Sequence, residues 1–306
     1  MTVAVSGSRG LVGAALVPAL VARGHRVIRL VRAPGSSSGE TVAWDPFAEV
    51  VDLRGLEGVD GVVHLAGENI AARRWTARQK SAIRDSRVVG TRGLAMGLAK
   101  LSSPPSVLVC ASAIGYYGDR GEEWLQEESR PGQGFLADAC QAWEAAADPA
   151  RARGIRTVHL RFGVILTVRG GALAKMLPPF RFGLGGRLGT GRQYMSWIAL
   201  EDAVGVIVHA LESAALQGPV NAVSPTPVTN QEFTQALGRA LRRPTICPVP
   251  SLAIRVMFGE MADAVLLSSA RVAPTRLTAS GYGFRYPALE PALQAILRPS
   301  PSAQFA

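Results

Sequence analysis

Lysine is nearly missing from this 306-residue chain. Of its 33 basic residues only three are lysines: Lys80, Lys100 and Lys175. Chemistry that needs an ammonium group therefore has three places to find one. Cysteine is also scarce. Cys110, Cys140 and Cys247 are odd in number, far apart and never in C-x-x-C spacing, which argues against a disulfide framework or a zinc site. The four histidines form no H-E-x-x-H or similar cluster, so no built-in metal is expected. No apolar run approaches the roughly 18 residues of a spanning helix, and MTVAVSGSRG is no secretory signal. The expectation is a cytoplasmic protein with no membrane partner.

What is abundant is apolar. Hydrophobic residues make up 48% and charged residues 18%, enough for a sizeable core and too apolar for a disordered chain. The length suits one large or two intimate domains. The net charge is +10, but the arginines are scattered with no run of five, and no groove-reading motif accompanies them. Nucleic acid is therefore not an expected partner. The charge reads as mostly solvated surface, with a few arginines serving a phosphate ligand.

The first half alternates strand-like and helix-like patterns. Val3–Ser6, Val27–Val31, Val42–Trp44, Val62–Ala66, Val107–Ala111 and Thr157–Phe162 read as strands. Leu11, Ala15, Leu16, Ala19 and Leu20 repeat at helical spacing, as do Ile83, Gly90, Leu94, Leu98 and Leu101, and Thr76 stands where an N-cap belongs. Such alternation predicts an α/β protein with a doubly wound parallel sheet. The second half differs. Gly170–Gly191 reads as irregular loop. Met195–Ile198 and Val220–Val223 read as strands, and Thr229 with Glu232 as a capping box opening a helix that Pro244 ends. The expected division is a dinucleotide-binding domain over 1–169 with return segments at about 192–225. A small, mostly helical substrate or lid region takes 170–191 and 226–298, and 299–306 form a disordered tail.

The strongest local signal is Gly7-Ser8-Arg9-Gly10-Leu11-Val12-Gly13, directly after a predicted strand and opening a helix. Glycine there permits a sharp turn, close approach of backbone N–H groups to a pyrophosphate, and tight packing of helix on strand. The helix N-terminus adds partial positive charge. Cofactor choice turns on the end of the second strand. NAD sites place an acid there for the ribose 2′-hydroxyl, whereas this chain has Arg29-Leu-Val-Arg32 and no acid. Arg32, with Arg9 in the loop, suits a 2′-phosphate, so NADP(H) is favoured over NAD. A solvated strand-end arginine is the alternative for Arg32.

The G-x-x-G-x-x-G spacing resembles that of extended short-chain dehydrogenase/reductases. So do His64-Leu65-Ala66-Gly67 and Arg87-Val-Val-Gly90-Thr91, the latter with Arg where the family pattern has Asn. The likeness narrows over Trp44-Asp-Pro46, Leu65-Ala-Gly-Glu-Asn-Ile70, Arg73-Arg-Trp75 and Ile83-Arg-Asp-Ser-Arg87. It continues over Ser112-Ala-Ile-Gly-Tyr-Tyr-Gly118, Trp143-Glu144, the segment from Gly170 to Phe180, Gln193 and Ser196-Trp-Ile198. These segments resemble the atypical branch called the epimerase family, whose members carry loose labels such as NAD-dependent epimerase/dehydratase or cell-division inhibitor. The resemblance implies a Rossmann-type sheet with a small C-terminal helical region. Its implied cofactor contacts are Gly7, Ser8, Arg9, Gly10, Leu11, Val12, Gly13, Arg32, Leu65, Ala66, Gly67, Arg87 and Ile165.

The superfamily's Tyr-x-x-x-Lys pair is absent. Thr76, Met96 and Gly171 stand four residues before the three lysines, and Phe135, in the expected region, cannot transfer a proton. Ser112, Tyr116 and Tyr117 remain as candidate catalytic residues; aromatic packing is the structural alternative for the tyrosines. Asp202 reads as a helix N-terminal acid. Two functions stay open: an NADP(H)-dependent oxidoreductase or epimerase-like enzyme with an unknown small-molecule substrate, and a non-catalytic NADPH-binding sensor.

Overall fold

A computed structural model describes residues 1–32, 39–47 and 53–297. The expected tail at 299–306 lies outside them. Seven strands, β1 (Thr2–Ser6), β2 (Arg26–Val31), β3 (Thr41–Ala43), β4 (Gly61–His64), β5 (Val107–Ala113), β6 (Arg156–Phe162) and β7 (Gly218–Ala222), form one sheet. Their order is β7-β6-β5-β4-β1-β2-β3. Pairing is parallel from β1 to β2 and β4, from β2 to β3, and from β4 to β5. The strand order reverses between β1 and β4, so a crevice opens where Ser6 and His64, paired in register, end their strands.

Among the described residues, eight α-helices have eight residues or more. They are α1 (Leu11–Ala22), α2 (Ala77–Ala99), α3 (Phe135–Ala145), α4 (Gly171–Arg181), α5 (Leu200–Glu212), α6 (Asn230–Leu241), α7 (Ser251–Phe258) and α8 (Leu289–Leu297). Local chemistry sets several ends. The Thr76 side chain accepts from the Gln79 amide at 3.2 Å to start α2. Thr229 and Glu232 cap each other's backbone amides to start α6, as their spacing predicts.

The chain divides into two compact units. The first comprises Met1–Ser112, Asp138–Leu160 and Val204–Val220. Its core joins Ala4, Ile28, Val62 and Leu108 from the sheet to Leu94 and Leu98 of α2. These residues have the β-branched and leucine-rich character of strands buried on both faces. The second comprises Ala113–Ala137, Arg161–Ala203 and the chain from Asn221 onward. Its core gathers Leu173, Leu177 and Phe180 of α4, Phe233 and Leu237 of α6, and Leu293 and Ile296 of α8 around the fully buried Trp197. The Trp197 indole donates to the Thr226 carbonyl at 3.0 Å, which makes burial of its N–H tolerable.

Two expectations are corrected here. Gly170–Gly191 is not all irregular, because α4 occupies Gly171–Arg181 and holds Pro178 and Pro179 in its last turn. Each proline removes a helix hydrogen bond. Leu173, Leu177 and Phe180 recur at helical spacing on the buried face, and that burial outweighs the loss. Met195–Ile198 is not one strand either. Tyr194–Met195 pairs antiparallel with Val228–Thr229, and Trp197–Ala199 pairs parallel with Val164–Leu166. Ser196 makes the break; its hydroxyl donates to the Ala270 carbonyl at 2.8 Å and accepts from the Val272 amide at 2.9 Å.

Candidate functional site

In the first unit, the turn after β1 is shaped by close backbone approach. Gly7 sits at φ +66°, and a Cβ there would lie 2.7 Å from the Leu65 carbonyl carbon. A Cβ on Gly13 would lie 2.3 Å from the Gly7 oxygen. Any side chain at either place forces α1 off β1 or the turn off β4. The turn closes with the Gly10 amide donating to the Gly7 carbonyl at 2.9 Å. Gly10 is the N-cap of α1 and offers no side-chain cap, and the first turn holds no acid. The amides of Leu11, Val12 and Gly13 thus face an end of the helix that the protein itself leaves open to an anion. Ser8 is buried beside them, while Arg9 is exposed.

Leu65-Ala66-Gly67 lies against this turn. The Leu65 amide donates to Ser6, 3.2 Å from its hydroxyl and 3.3 Å from its carbonyl. Arg87, on α2, reaches back over the same segment. Its Nη1 donates to the Glu68 and Ile83 carbonyls, both at 3.0 Å, and its guanidinium lies 4.9 Å from the centre of the Trp143 ring. Burial pulls its pKa down, while Cys140 and Glu68 push it the other way. The Arg87 side chain lies close over Gly67: a Cβ there would be 3.4 Å from Arg87 Cζ, an ordinary van der Waals contact. Arg32 is exposed at the end of β2 and bonds to no other described residue.

Beneath the turn runs a neutral relay. Ser6 Oγ is 2.7 Å from His64 Nδ1, His64 Nε2 is 3.0 Å from Thr91 Oγ1, and Trp143 Nε1 donates to the same Thr91 oxygen at 2.9 Å. Burial lowers the His64 pKa from 6.5 to about 4, so the ring is neutral at pH 7. Ser6 already accepts from Leu65. The neutral ring donates from one nitrogen and accepts at the other, so Ser6 and Thr91 hold it between them. His64 was expected to belong to the cofactor segment, and the structure uses it as a brace below that segment.

At the end of β5, Ser112 Oγ donates to Glu144 Oε1 of α3 at 2.7 Å. Ser112 is 3% exposed and Glu144 half-buried. Nearby, the Cys110 thiol is pushed up to about 12, first by burial and then by the Glu144 charge, which keeps it a neutral thiol. Glu144 was visible beforehand only as part of a recurring Trp-Glu pair with no role attached. Nothing local connects it to a serine 32 positions earlier.

In the second unit Tyr117 is fully buried. Its hydroxyl lies 2.7 Å from Asn221 Oδ1 and 3.0 Å from the Gln126 carbonyl, and accepts from Arg161 Nη1 at 2.9 Å. Burial pushes its pKa up to about 12 against the opposing pull of Arg161. Tyr116 packs edge-on against Tyr117, and the Arg161 guanidinium lies 3.5 Å from the centre of its ring. Ile165 pairs with Ile198 in the short parallel ladder. Asp202 does more than start α5. Its carboxylate accepts from the Arg285 amide at 2.7 Å and the Tyr286 amide at 2.9 Å, anchoring that loop.

A strand order that reverses beside a glycine turn defines a Rossmann-type dinucleotide-binding fold. Comparison with known proteins narrows the class. The chain belongs to the NAD dependent epimerase/dehydratase family, whose model matches residues 3–222. A second model, described only as a domain of unknown function (DUF1731), matches residues 249–296. The chain is 46% identical over 292 residues to Epimerase family protein Mb2239 of Mycobacterium bovis, covering 95% of this chain and 96% of that one. The crystal structure of human epimerase family protein SDR39U1 (isoform2) with NADPH superposes with a TM-score of 0.88 at 37% identity, over 97% of this chain and 99% of the human one. A nucleoside-diphosphate sugar epimerase from Corynebacterium glutamicum superposes at 0.79 with 39% identity, over 97% of this chain and 58% of that one. No described helix is long and apolar enough to cross a membrane.

Proposed function

We propose that this chain binds NADP(H) and acts as an oxidoreductase or epimerase-like enzyme on a small substrate. The observation that carries the reading is the open, uncapped start of α1, with Gly13 pressed on the turn after β1 and Gly7 on Leu65, and with Arg32 rather than an acid following β2. The NADPH in the human relative's structure supports it. In this reading the α1 amides take the pyrophosphate, and Arg32 with Arg9 takes the 2′-phosphate. Leu65, Ala66 and Gly67 present backbone to the cofactor, and Arg87 fixes that segment by holding the Glu68 carbonyl. When bound, the nicotinamide supplies the hydride chemistry. Residues 170–191 and 226–298 serve as the substrate or lid region.

Proton handling falls to Ser112 and Glu144. A serine hydroxyl donating to a carboxylate can pass its proton to Glu144 while accepting one from a substrate hydroxyl. Tyr117 is unsuited to that step at neutral pH, because its proton is held by buried partners and its pKa is about 12. Tyr116 stays a further candidate. The alternative reading, an NADPH-binding sensor without turnover, is favoured by one observation, the lack of any Tyr-x-x-x-Lys.

Calorimetric titration tests the cofactor. NADPH should bind more tightly than NADH, and Arg32→Asp should weaken NADPH by roughly ten- to a hundred-fold while changing NADH little. Equal losses for both would overturn the assignment. Turnover of NADPH against a carbonyl panel separates the two functions. An enzyme should lose rate in Glu144→Gln with cofactor affinity kept, and a sensor should show no oxidation in either protein.

A further inference from the structure

We infer that the surface built from residues 181–187, 242–246 and helix α7 docks on an anionic membrane surface. The two strips lie side by side. Arg243 Nε donates to the Arg181 carbonyl at 2.9 Å, the Cys247 amide to the Gly185 carbonyl at 3.3 Å, and the Val249 amide to the Arg187 carbonyl at 2.9 Å. Helix α7 follows at once, turning Ile254 inward and Leu252, Ala253, Arg255, Val256 and Met257 outward. Among the described residues, the most exposed large apolar side chains gather here. Phe182 is 81% exposed, Ile246 79%, Leu252 72%, Val256 66% and Leu184 62%.

The charge around them is mostly positive, although Arg239 pairs with Glu290 and Arg255 with Asp263. Residues 181–192 and 239–259 contain seven arginines and not one acid or lysine. Arg181, Arg192 and Arg242 offer guanidinium groups that bond to no other described residue. Arg242 is the one described non-glycine residue with positive φ, at 55°, where a glycine is ordinarily preferred after a helix. Arginine is thus kept at a place where the backbone disfavours it.

Protruding apolar tips with Arg181, Arg192 and Arg242 beside them fit a bilayer interface, which buries the tips shallowly and supplies phosphate to the guanidinium groups. A second copy of this chain suits the surface poorly, since it would set an excess of arginine against the same excess. No spanning helix is needed for such contact, so it departs from the membrane-free expectation without contradicting the hydropathy that prompted it.

Sedimentation of the full chain with vesicles tests the inference. Vesicles containing about one-third phosphatidylserine in phosphatidylcholine should carry the protein down at low salt, pure phosphatidylcholine should not, and salt should release it. Phe182→Asp and Ile246→Asp should each weaken partition by at least about ten-fold, with NADPH affinity and thermal midpoint unchanged. Arg242→Gly should weaken partition while holding or raising the thermal midpoint, since glycine relieves the left-handed backbone. Failure to sediment with anionic vesicles would overturn the proposal, as would equal binding by Ile246→Asp. Self-association in light scattering that the same substitutions abolish would reassign the surface to a second copy. NADPH affinity is read separately, so the cofactor proposal stands or falls on its own titration.

Discussion

Each unit contains a buried polar network, and the two are built on opposite principles. Ser6, His64, Thr91 and Trp143 form a chain with no ionised member. Arg161, Tyr117, Asn221 and Glu127 form a cluster around a buried guanidinium. The neutral chain braces the glycine turn, where a fixed internal charge would bias the site electrostatically. It depends on histidine staying uncharged and is therefore vulnerable to acid. The ionic cluster ties three distant segments together, since Glu127 Oε1 accepts from the Asn221 amide at 3.1 Å and the Arg276 amide at 3.2 Å. It depends on every partner being present, because a charge in low dielectric is costly once left alone.

Removing the charge should break the second network most severely. Arg161→Met forfeits charge-assisted bonds to Tyr117 and the Glu127 carbonyl together with a cation over the Tyr116 ring, and should cost roughly 3–5 kcal/mol in urea unfolding. A loss under about 1 kcal/mol would mean that the cluster is a passive filler.

Acid should strike the first network instead. The His64 pKa is about 4 in the folded chain and 6.5 as a reference value, so between those pH values the unfolded state binds a proton that the folded state refuses. Stability should therefore fall as pH drops from 6.5 toward 4, by a total of about 3 kcal/mol from this residue, and its share should level off below that. Denaturant midpoints measured across the window, compared with those of His64→Gln, would show a flat difference if the ring carried no such penalty.

The smallest effect sharpens the same contrast. Thr91→Val keeps shape but leaves the Trp143 N–H without its acceptor and His64 Nε2 without its partner, and should cost about 2 kcal/mol at neutral pH. It should also raise KM or Kd for NADPH modestly, because the brace under Ser6 and Leu65 loosens. Tyr117→Phe, in the other unit, should leave cofactor affinity untouched.

Contiguous signals survived from sequence to structure. The turn Gly7–Gly13, the Thr76 and Thr229 caps, and the strand pattern through β6 depend on residues within a few positions of one another. Their steric and hydrogen-bonding demands can therefore be read along the chain. Helix α4 was missed because glycine and proline at its ends masked the buried spacing of Leu173, Leu177 and Phe180. Ser112 was legible as a candidate but its partner was not. The bond to Glu144 exists because β5 and α3 pack together, and no local pattern encodes that distance.

The amino-acid order alone determined the Rossmann architecture and the glycine turn at its crevice. Glycine geometry, strand–helix alternation and the absent Tyr-x-x-x-Lys are properties of short stretches. Tertiary structure decided how the buried polar groups are used. It kept the His64 ring neutral, locked the Tyr117 hydroxyl away and joined Ser112 to Glu144. Protonation and hydrogen-bond partnership depend on burial and on neighbours far away in the chain, and those come into being only when the elements pack.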